Sequence, residues 1–305
     1  MELKQVGEKT YYIENNTNIG IYLVDDKHVF LIDTGNDKEA GKKILKIVTE
    51  QGWEVVGIIS THSNADHVGG NKVIQERTNC KIYSSGIEKC ITEYPLLEPS
   101  FLYGAYPFEA IKNKFLMAKP STVTDIDNNL PAGLEYITLK GHFFDMIGVK
   151  TSDDVIFLAD SLFSEETITK YHVFFIYDVA EYLNTLNMLK DLSAKVFVAS
   201  HCNATNDISN LIKLNEEKVH EIADYIYSIC KSPSTFEDVL KSVFDNYNLV
   251  MNATQYVLLS STVKSYLSYL NDLGKITYEF IDNKMYCKQI GEYYGTYNET
   301  ICWKF

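Results

Sequence analysis

Arginine is nearly absent from this sequence, since Arg77 is the single one among 305 residues. The formal net charge is −13 at pH 7. Proteins that bind nucleic acid need clustered cations, and arginine supplies the bidentate contacts to phosphate. An acidic chain with so little arginine therefore argues against a nucleic-acid partner.

Long apolar runs are also missing. The sequence has no stretch of about 18 consecutive apolar residues, the length at which a membrane span is predicted. The start, Met1–Gln5, carries no signal-peptide pattern. These two absences predict a cytoplasmic protein with no membrane partner.

None of the six cysteines belongs to a C-x-x-C pair. In a cytoplasmic chain this spacing predicts free thiols, most of them buried. Cys202 needs separate attention because it directly follows His201. It is either a core cysteine at the end of a strand or a residue with a metal-binding or redox role.

What the sequence does contain is a repeated design in which a short apolar run is followed by Asp or His. The runs are His28–Ile32, Val55–Ile59, Leu134–Leu139, Val155–Ala159 and Val196–Ser200. The residues that follow them include Asp33, His62, His142, Asp160 and His201. Such runs predict buried strands, and open α/β sheets place their sites at the carboxyl ends of strands. Packing alone does not explain five such strand ends, which indicates one shared site.

The second run leads into Thr61-His62-Ser63-Asn64-Ala65-Asp66-His67. Two imidazoles and a carboxylate within six residues can hold a first-row metal ion. Together with the later His142, Asp160 and His201, this order resembles the metallo-β-lactamase-fold hydrolases, whose signature is Thr-His-x-His-x-Asp-His. The resemblance covers about residues 8–230. It implies an α/β protein folded as a four-layer αβ/βα sandwich.

The same resemblance implies a set of metal ligands. The first ion is held by His62, position 64 and His142, the second by Asp66, His67 and His201, and Asp160 bridges the two. One or two divalent ions are implied, zinc in the first place, with iron or manganese as alternatives. Asp33 is expected to orient the signature loop from outside the ligand set. Asp66 is also the predicted catalytic residue.

Asn64 departs from the signature, because it stands where the family has its second histidine. An amide oxygen is a poorer ligand for zinc than imidazole, so we expect the second site to fill first. Three alternatives are open: Asn64 binds through its oxygen, it binds through a water, or the site has decayed. Another departure follows His142, where Asp145 is either a polar group near the metals or a turn residue.

The resemblance implies a metal-dependent hydrolase in which a metal-bound hydroxide attacks a small-molecule ester, thioester, lactone or lactam. A catalytically impaired pseudoenzyme or scaffold is one alternative. A phosphoester hydrolase is another, although the composition lacks a basic groove for phosphate.

Two regions lie outside the repeated design. Residues 86–127 are rich in aromatics without strong periodicity, which predicts a folded excursion that is a lid over the metal site, core packing or a dimer surface. Residues 1–230 are predicted to form the metallo-β-lactamase-fold domain. Residues 235–305 have helical apolar spacing followed by a β-hairpin pattern, which predicts a small winged-helix-like domain. This region is acidic, so we predict packing or homodimer formation there rather than DNA binding, with residues 291–305 as a tail docked on a neighbouring surface.

Overall fold

Two β-sheets lie face to face in the computed structural model, which describes residues 1–127 and 129–290. The first sheet has seven strands in sequence order. They are β1 (Glu2–Gln5), β2 (Thr10–Glu14), β3 (Ile19–Leu23), β4 (His28–Ile32), β5 (Glu54–Ile59), β6 (Lys81–Ser84) and β7 (Val123–Asp125). The first four strands pair antiparallel, and β4 to β7 pair parallel.

The second sheet has four strands in the order β11-β10-β9-β8. They are β8 (Leu134–Thr138), β9 (Ile147–Thr151), β10 (Val155–Phe163) and β11 (Val196–His201). Strands β10 and β11 are parallel, whereas β8, β9 and β10 pair antiparallel. A smaller antiparallel sheet contains β12 (Ser234–Thr235), β13 (Ile276–Ile281) and β14 (Lys284–Gln289).

Ten α-helices connect or cover the sheets within the described residues. They are α1 (Lys38–Glu50), α2 (Ala65–Val68), α3 (Asn71–Thr78), α4 (Gly86–Glu93), α5 (Leu97–Tyr103), α6 (Glu165–Tyr171), α7 (Val179–Leu189), α8 (Ser209–Ile229), α9 (Phe236–Asn246) and α10 (Ala253–Asp272). A short 3-10 turn covers Glu109–Ile111.

The alternation of side chains along β4 shows how the layers form. Val29 and Leu31 pack in the hydrophobic cluster on the side of α1 and α3. Phe30 and Ile32 point to the opposite face and pack with Phe157 of the second sheet. Because successive side chains of a strand point to opposite faces, one strand contributes to two layers of core. Helices α7 and α8 cover the far face of the second sheet.

The predicted four-layer αβ/βα sandwich is therefore confirmed, with α1 and α3 on one outside and α7 and α8 on the other. The structure also contains elements that the sequence patterns do not indicate. The segment 86–127 ends in β7, which pairs with β6 at the edge of the first sheet. Three residues at an edge carry too short an alternation to be recognised in a sequence.

Strand β10 is longer than the predicted run that ends at Ala159. It continues to Phe163, with a register shift against β11 at Ala159. Ala159 has a φ of 49°, in the left-handed region. Asp160 therefore lies within an irregular strand and not on a loop after it.

The C-terminal region shares a core with the preceding residues. The largest hydrophobic cluster includes Leu186 and Ile226 together with Val263 and Ile276. The domain boundary at residue 230 and the winged-helix-like description stay predictions. The predicted docking of residues 291–305 lies outside the described residues.

Among the helices of residues 1–127 and 129–290, none combines the length and the hydropathy that a bilayer span requires.

Candidate metal centre

The signature loop follows β5 and is held against the chain that follows β4. The backbone N–H of Thr34 donates to the carbonyl of His67 at 2.8 Å. A Cβ atom on Gly69 would lie 2.3 Å from the carbonyl carbon of Asn36, so the two backbones touch and only glycine fits. This close approach fixes the direction in which α2 leaves the loop and thereby the positions of Asp66 and His67.

Asp33 lies at the centre of this contact and is almost fully buried. Its Oδ1 accepts a hydrogen bond from the backbone N–H of Thr61, and its Oδ2 accepts one from Thr61 Oγ1, both at 2.8 Å. Asp33 Oδ2 also lies 2.8 Å from His67 Nδ1. A carboxylate accepts hydrogen bonds, so this contact places the proton of His67 on Nδ1 and directs Nε2 away from Asp33.

A hydrogen bond to Thr61 likewise fixes the orientation of His62. Its Nδ1 lies 3.0 Å from Thr61 Oγ1, whose own hydrogen is donated to Asp33. The Thr61 oxygen can therefore only accept from His62, which puts the proton of His62 on Nδ1. His62 Nε2 is buried and has no hydrogen-bond partner among the described residues.

His142 and His201 are fixed by backbone carbonyl groups. His142 Nδ1 lies 3.0 Å from the carbonyl of Phe175, and His201 Nδ1 lies 2.6 Å from the carbonyl of Asn16. Carbonyl oxygens only accept, so both rings carry a proton on Nδ1. Gly141 brings His142 into place: its φ is +115°, and a Cβ there would lie 2.2 Å from the backbone nitrogen of Tyr182.

All four histidines consequently turn Nε2 towards a single cleft that also holds Asp66 and Asp160. Asp160 Oδ1 lies 3.1 Å from His67 Nε2. Asp160 Oδ2 lies 3.2 Å from His201 Nε2 and 3.6 Å from His142 Nε2. Asp160 thus lies between the histidines, where the resemblance expects a bridging ligand.

Two groups of ligand atoms in this cleft are close enough to surround an ion. One is His62, His67 and Asp160, and the other is Asp66, His67 and His201, with all ligand atoms of a group within 4.8 Å of one another. Asn64 Oδ1 faces the cleft too, 3.1 Å from His142 Nε2. The structure therefore brings together all seven residues that the sequence analysis selected as ligands.

The protonation of these groups follows from burial and neighbouring charge. Burial lowers the pKa of His62 and of His142 below the usual value for histidine. Burial acts in the same direction on His67 and His201, but the nearby carboxylates together outweigh it, Asp160 ahead of Asp66. These carboxylates raise the pKa of His201 to about 9 and that of His67 well above the usual value. Without a cation, protons on these two rings balance the carboxylates.

The polar atoms of these residues are better suited to binding a cation than to hydrogen bonding with one another. With His142 neutral, its Nε2 lone pair and Asn64 Oδ1 are two acceptors at 3.1 Å, which a hydrogen bond cannot explain. His62 Nε2 is buried without a hydrogen-bond partner among the described residues, a costly arrangement. In residues 1–127 and 129–290, no Lys or Arg lies within 4 Å of the carboxylates of Asp66 and Asp160. A divalent cation would satisfy all of these atoms.

Two buried carboxylates near the cleft were not selected from the sequence. Glu88 of α4 accepts hydrogen bonds from Ser63 N, Ser63 Oγ and Asp145 N, and burial raises its pKa to about 7. Glu98 of α5 accepts one from Asn64 Nδ2 at 2.8 Å, and burial raises its pKa well above the usual value. The one signal in the sequence is an acidic residue within an apolar segment such as Leu96-Leu97-Glu98-Pro99.

The alternatives for Asp145 and Cys202 now have a structural answer. Asp145 Oδ2 accepts from the backbone N–H of Ile87 at the start of α4, and its Oδ1 lies 3.2 Å from Lys140 Nζ. It therefore ties two loops together away from the ligand atoms. The thiol of Cys202 is buried against the carbonyl of Leu162, and burial raises its pKa to about 12. Neither residue belongs to the two groups of ligand atoms.

Access to the cleft differs between its two sides. The side chain of Asp66 is 42% exposed and that of His201 is 21% exposed, whereas those of His62 and His67 are buried. On the side of His142, aromatic rings close the cleft, with Phe101 packed against Phe143 and Phe144. Solvent and a substrate would therefore reach the cleft from the side of Asp66.

Comparison with known proteins agrees with this fold. The family model described as Metallo-beta-lactamase superfamily matches residues 15–201, which is more than half of the chain. A hydroxyacylglutathione hydrolase from Rhodopseudomonas palustris is 28% identical over 144 residues, covering 47% of this chain and 48% of that protein. This chain thus spans about half the length of that curated relative.

Solved structures with the same fold cover nearly the whole chain. A beta-lactamase domain protein from Burkholderia ambifaria superposes with a TM-score of 0.71 at 13% identity, over 95% of this chain and 94% of that one. A metallo-beta-lactamase family protein from Thermus thermophilus gives a TM-score of 0.68 at 15% identity, over 95% and 98% of the two chains. At such identities these similarities establish the fold alone.

Proposed function

Because this chain belongs to the metallo-beta-lactamase superfamily, we propose that it is a metal-dependent hydrolase of small acyl substrates. One observation carries the proposal: four histidines, each with its proton fixed on Nδ1 by an outside acceptor, turn Nε2 into one cleft with Asp66 and Asp160. Outer partners of this kind orient ligands and raise their basicity.

The proposed ligands are those selected from the sequence. His62, Asn64 and His142 would hold a first ion, Asp66, His67 and His201 a second, and Asp160 would lie between them. Zinc is the first choice for ligands that are mostly imidazole. Such ions, when bound, polarise an acyl oxygen and lower the pKa of a water molecule.

The residues of the chain have separate tasks in this proposal. Asp33 keeps His67 in the tautomer that can bind a metal. Asp66, at the open side of the cleft, accepts the proton that the attacking water loses, while Thr17 Oγ1, 3.0 Å from Asp66 Oδ2, steadies the carboxylate. The rings of Phe101, Phe143 and Phe144 exclude water from the opposite side.

A thioester is the substrate class to test first. The curated relative from Rhodopseudomonas palustris is named for hydroxyacylglutathione hydrolysis, and a hydroxyacylglutathione is a thioester. Esters, lactones and lactams remain in the proposal, because all of them present an acyl carbon to the same ligand set. A phosphodiester would need cations around the cleft. Within residues 1–127 and 129–290, the carboxylates there have histidine as their positive partners.

The test begins with the metal content of the purified protein, measured by elemental analysis. Chelated protein is then reloaded with zinc, manganese or iron and assayed on a glutathione thioester, a neutral thioester, an ester, a lactone, a lactam and a phosphodiester. We expect acyl hydrolysis that disappears on chelation and returns on reloading. Asp160→Asn serves as the inactive comparison, because it weakens the central ligand without changing the shape of the side chain. Bound metal without any hydrolysis would favour the pseudoenzyme or scaffold, and absence of metal binding would refute the proposal entirely.

A further inference from the structure

Asn64 does not behave as asparagine usually does at the start of a helix. It occupies the N-cap of α2, where an asparagine oxygen ordinarily accepts from the first backbone N–H groups. Here the side chain makes no capping hydrogen bond. Its Nδ2 instead donates to Glu98 Oε1 at 2.8 Å, and its Oδ1 faces His142 Nε2 at 3.1 Å. Something other than helix capping therefore determines the orientation of the amide.

Glu98 is unusual among the buried carboxylates of the protein. Glu88 accepts three hydrogen bonds and ties Ser63 to Asp145, which is sufficient reason for its burial. Glu98 is 4% exposed, and among the described residues the amide of Asn64 is its one hydrogen-bond donor. Burying a carboxyl with a single partner costs free energy that packing alone does not return. The interaction that the burial of Glu98 provides is its hydrogen bond with Asn64.

We propose that Glu98 is a positioning residue that makes Asn64 a competent ligand for the first metal ion. This inference rests on the proposed function. By accepting the N–H of the amide, Glu98 holds Oδ1 towards the cleft. A hydrogen bond from Nδ2 to a carboxyl oxygen also shifts electron density onto Oδ1. Carboxylates that accept from metal-binding histidines raise ligand basicity in the same way.

The hydrogen bond from Nδ2 to Glu98 Oε1 holds the amide with Oδ1 towards His142. Without Glu98 the amide can turn by about 180°, so that Nδ2 donates to the lone pair of His142 Nε2. That orientation would satisfy the amide and His142 together and would leave the first ion without either ligand. Glu98 therefore determines whether Asn64 and His142 bond to each other or stay available to bind the first ion.

The position of Glu98 links the metal cleft to the segment 86–127. Glu98 is the second residue of α5, and Leu102 of the same helix packs with Ile111, Leu116 and Val257 of α10. The carboxyl is thus delivered by a helix that the rest of the protein holds in place. The site departs from the family signature at Asn64, and the compensating residue comes from a part of the chain outside that signature.

Metal titration tests the inference without any assay of activity. Metal-free wild type, Glu98→Gln and Glu98→Leu are titrated with zinc by calorimetry and with cobalt by absorption spectroscopy, which reports ligands directly. We expect Glu98→Leu to weaken the first site by about 10–100-fold, the usual effect of losing an outer partner, and Glu98→Gln to weaken it less. The second site should change by less than about threefold, which also shows that the variants are folded. Glu93→Gln is the matched control, since Glu93 accepts a backbone N–H in the same segment away from the cleft.

A double-mutant cycle separates positioning from other roles. If Glu98 acts through Asn64, then Asn64→Ala with Glu98→Leu should bind the first ion as weakly as Asn64→Ala alone. An equal further loss would mean that Glu98 acts independently, and the inference would be wrong. An unchanged first site in Glu98→Leu would overturn it as well, and the isosteric Glu98→Gln decides the matter if Glu98→Leu does not fold. Wild type that binds no metal would instead refute the proposed function.

Discussion

Replacing Asp33 by asparagine should weaken the second metal site although Asp33 is not a ligand. The carboxylate of Asp33 accepts from Thr61 N, Thr61 Oγ1 and His67 Nδ1, each at 2.8 Å. Asparagine has the same shape but only one acceptor oxygen. If its NH2 group takes the place of Oδ2, it meets His67 Nδ1 and drives the proton of His67 onto Nε2. The atom that should bind metal is then protonated.

The magnitude can be worked from these contacts. Losing an outer partner of a ligand costs about 10–100-fold in metal affinity. That range corresponds to about 1.4–2.8 kcal/mol. If the NH2 group faces the backbone N–H of Thr61 instead, one buried donor stays unsatisfied, which costs about 1–3 kcal/mol of stability. Asp33→Asn should therefore lower either the affinity of the second site or the stability of the metal-free protein, and the tautomer argument favours the affinity.

Calorimetric titration with zinc measures the affinity, and thermal unfolding of the metal-free protein measures the stability. Asp25→Asn is the matched control, because Asp25 also accepts from a histidine and from backbone N–H groups, but on an exposed turn away from the cleft. An affinity within about threefold of wild type, with stability unchanged, would show that Asp33 does not set the tautomer of His67. Some loss at the first site is expected as well, because the Thr61 hydroxyl, no longer accepted by Asp33, can donate to His62 Nδ1 and move the proton of His62 onto Nε2.

Four further results are expected. Asn64→His should raise first-site affinity by about tenfold or more, so that chelation removes both ions in one step; two steps, as expected for wild type, would contradict this. Asp66→Ala should weaken the second site by more than about 100-fold and abolish hydrolysis. The melting temperature should change little, because the side chain of Asp66 is 42% exposed. Retained second-site binding would exclude Asp66 as a ligand. Burial lowers the pKa of His201, but the carboxylates of Asp160 and Asp66 together raise it to about 9. The metal affinity of the second site should therefore rise with pH up to about 9, and calorimetry in different buffers measures the protons released on binding. In the metal-free protein, that shift contributes stability below pH 6.5 that is lost as pH rises through about 9. Duplex DNA should show no salt-sensitive shift at physiological salt, given a net charge of −13.

The strand ends and the order of the ligands could be predicted from the sequence. Buried strands are encoded by short apolar runs, which are local, and parallel strands bring their carboxyl ends to one edge. The positions of His62, His142, Asp160 and His201 follow from that rule together with the family signature. Helices such as α1 were equally predictable, since Asp37 caps it and its apolar residues recur on one face.

Only the tertiary structure decided how those ligands are oriented. The acceptors that fix the four rings are Asp33, Thr61 and the carbonyl groups of Asn16 and Phe175. Two of them are backbone atoms, which every residue type carries, so the sequence cannot single them out. Glu98 lies 34 residues from Asn64 in a segment without periodicity, and their contact exists because α5 packs beside the signature loop. Local patterns encode where a strand ends, whereas the partner of a buried side chain is set by which distant segment packs against it.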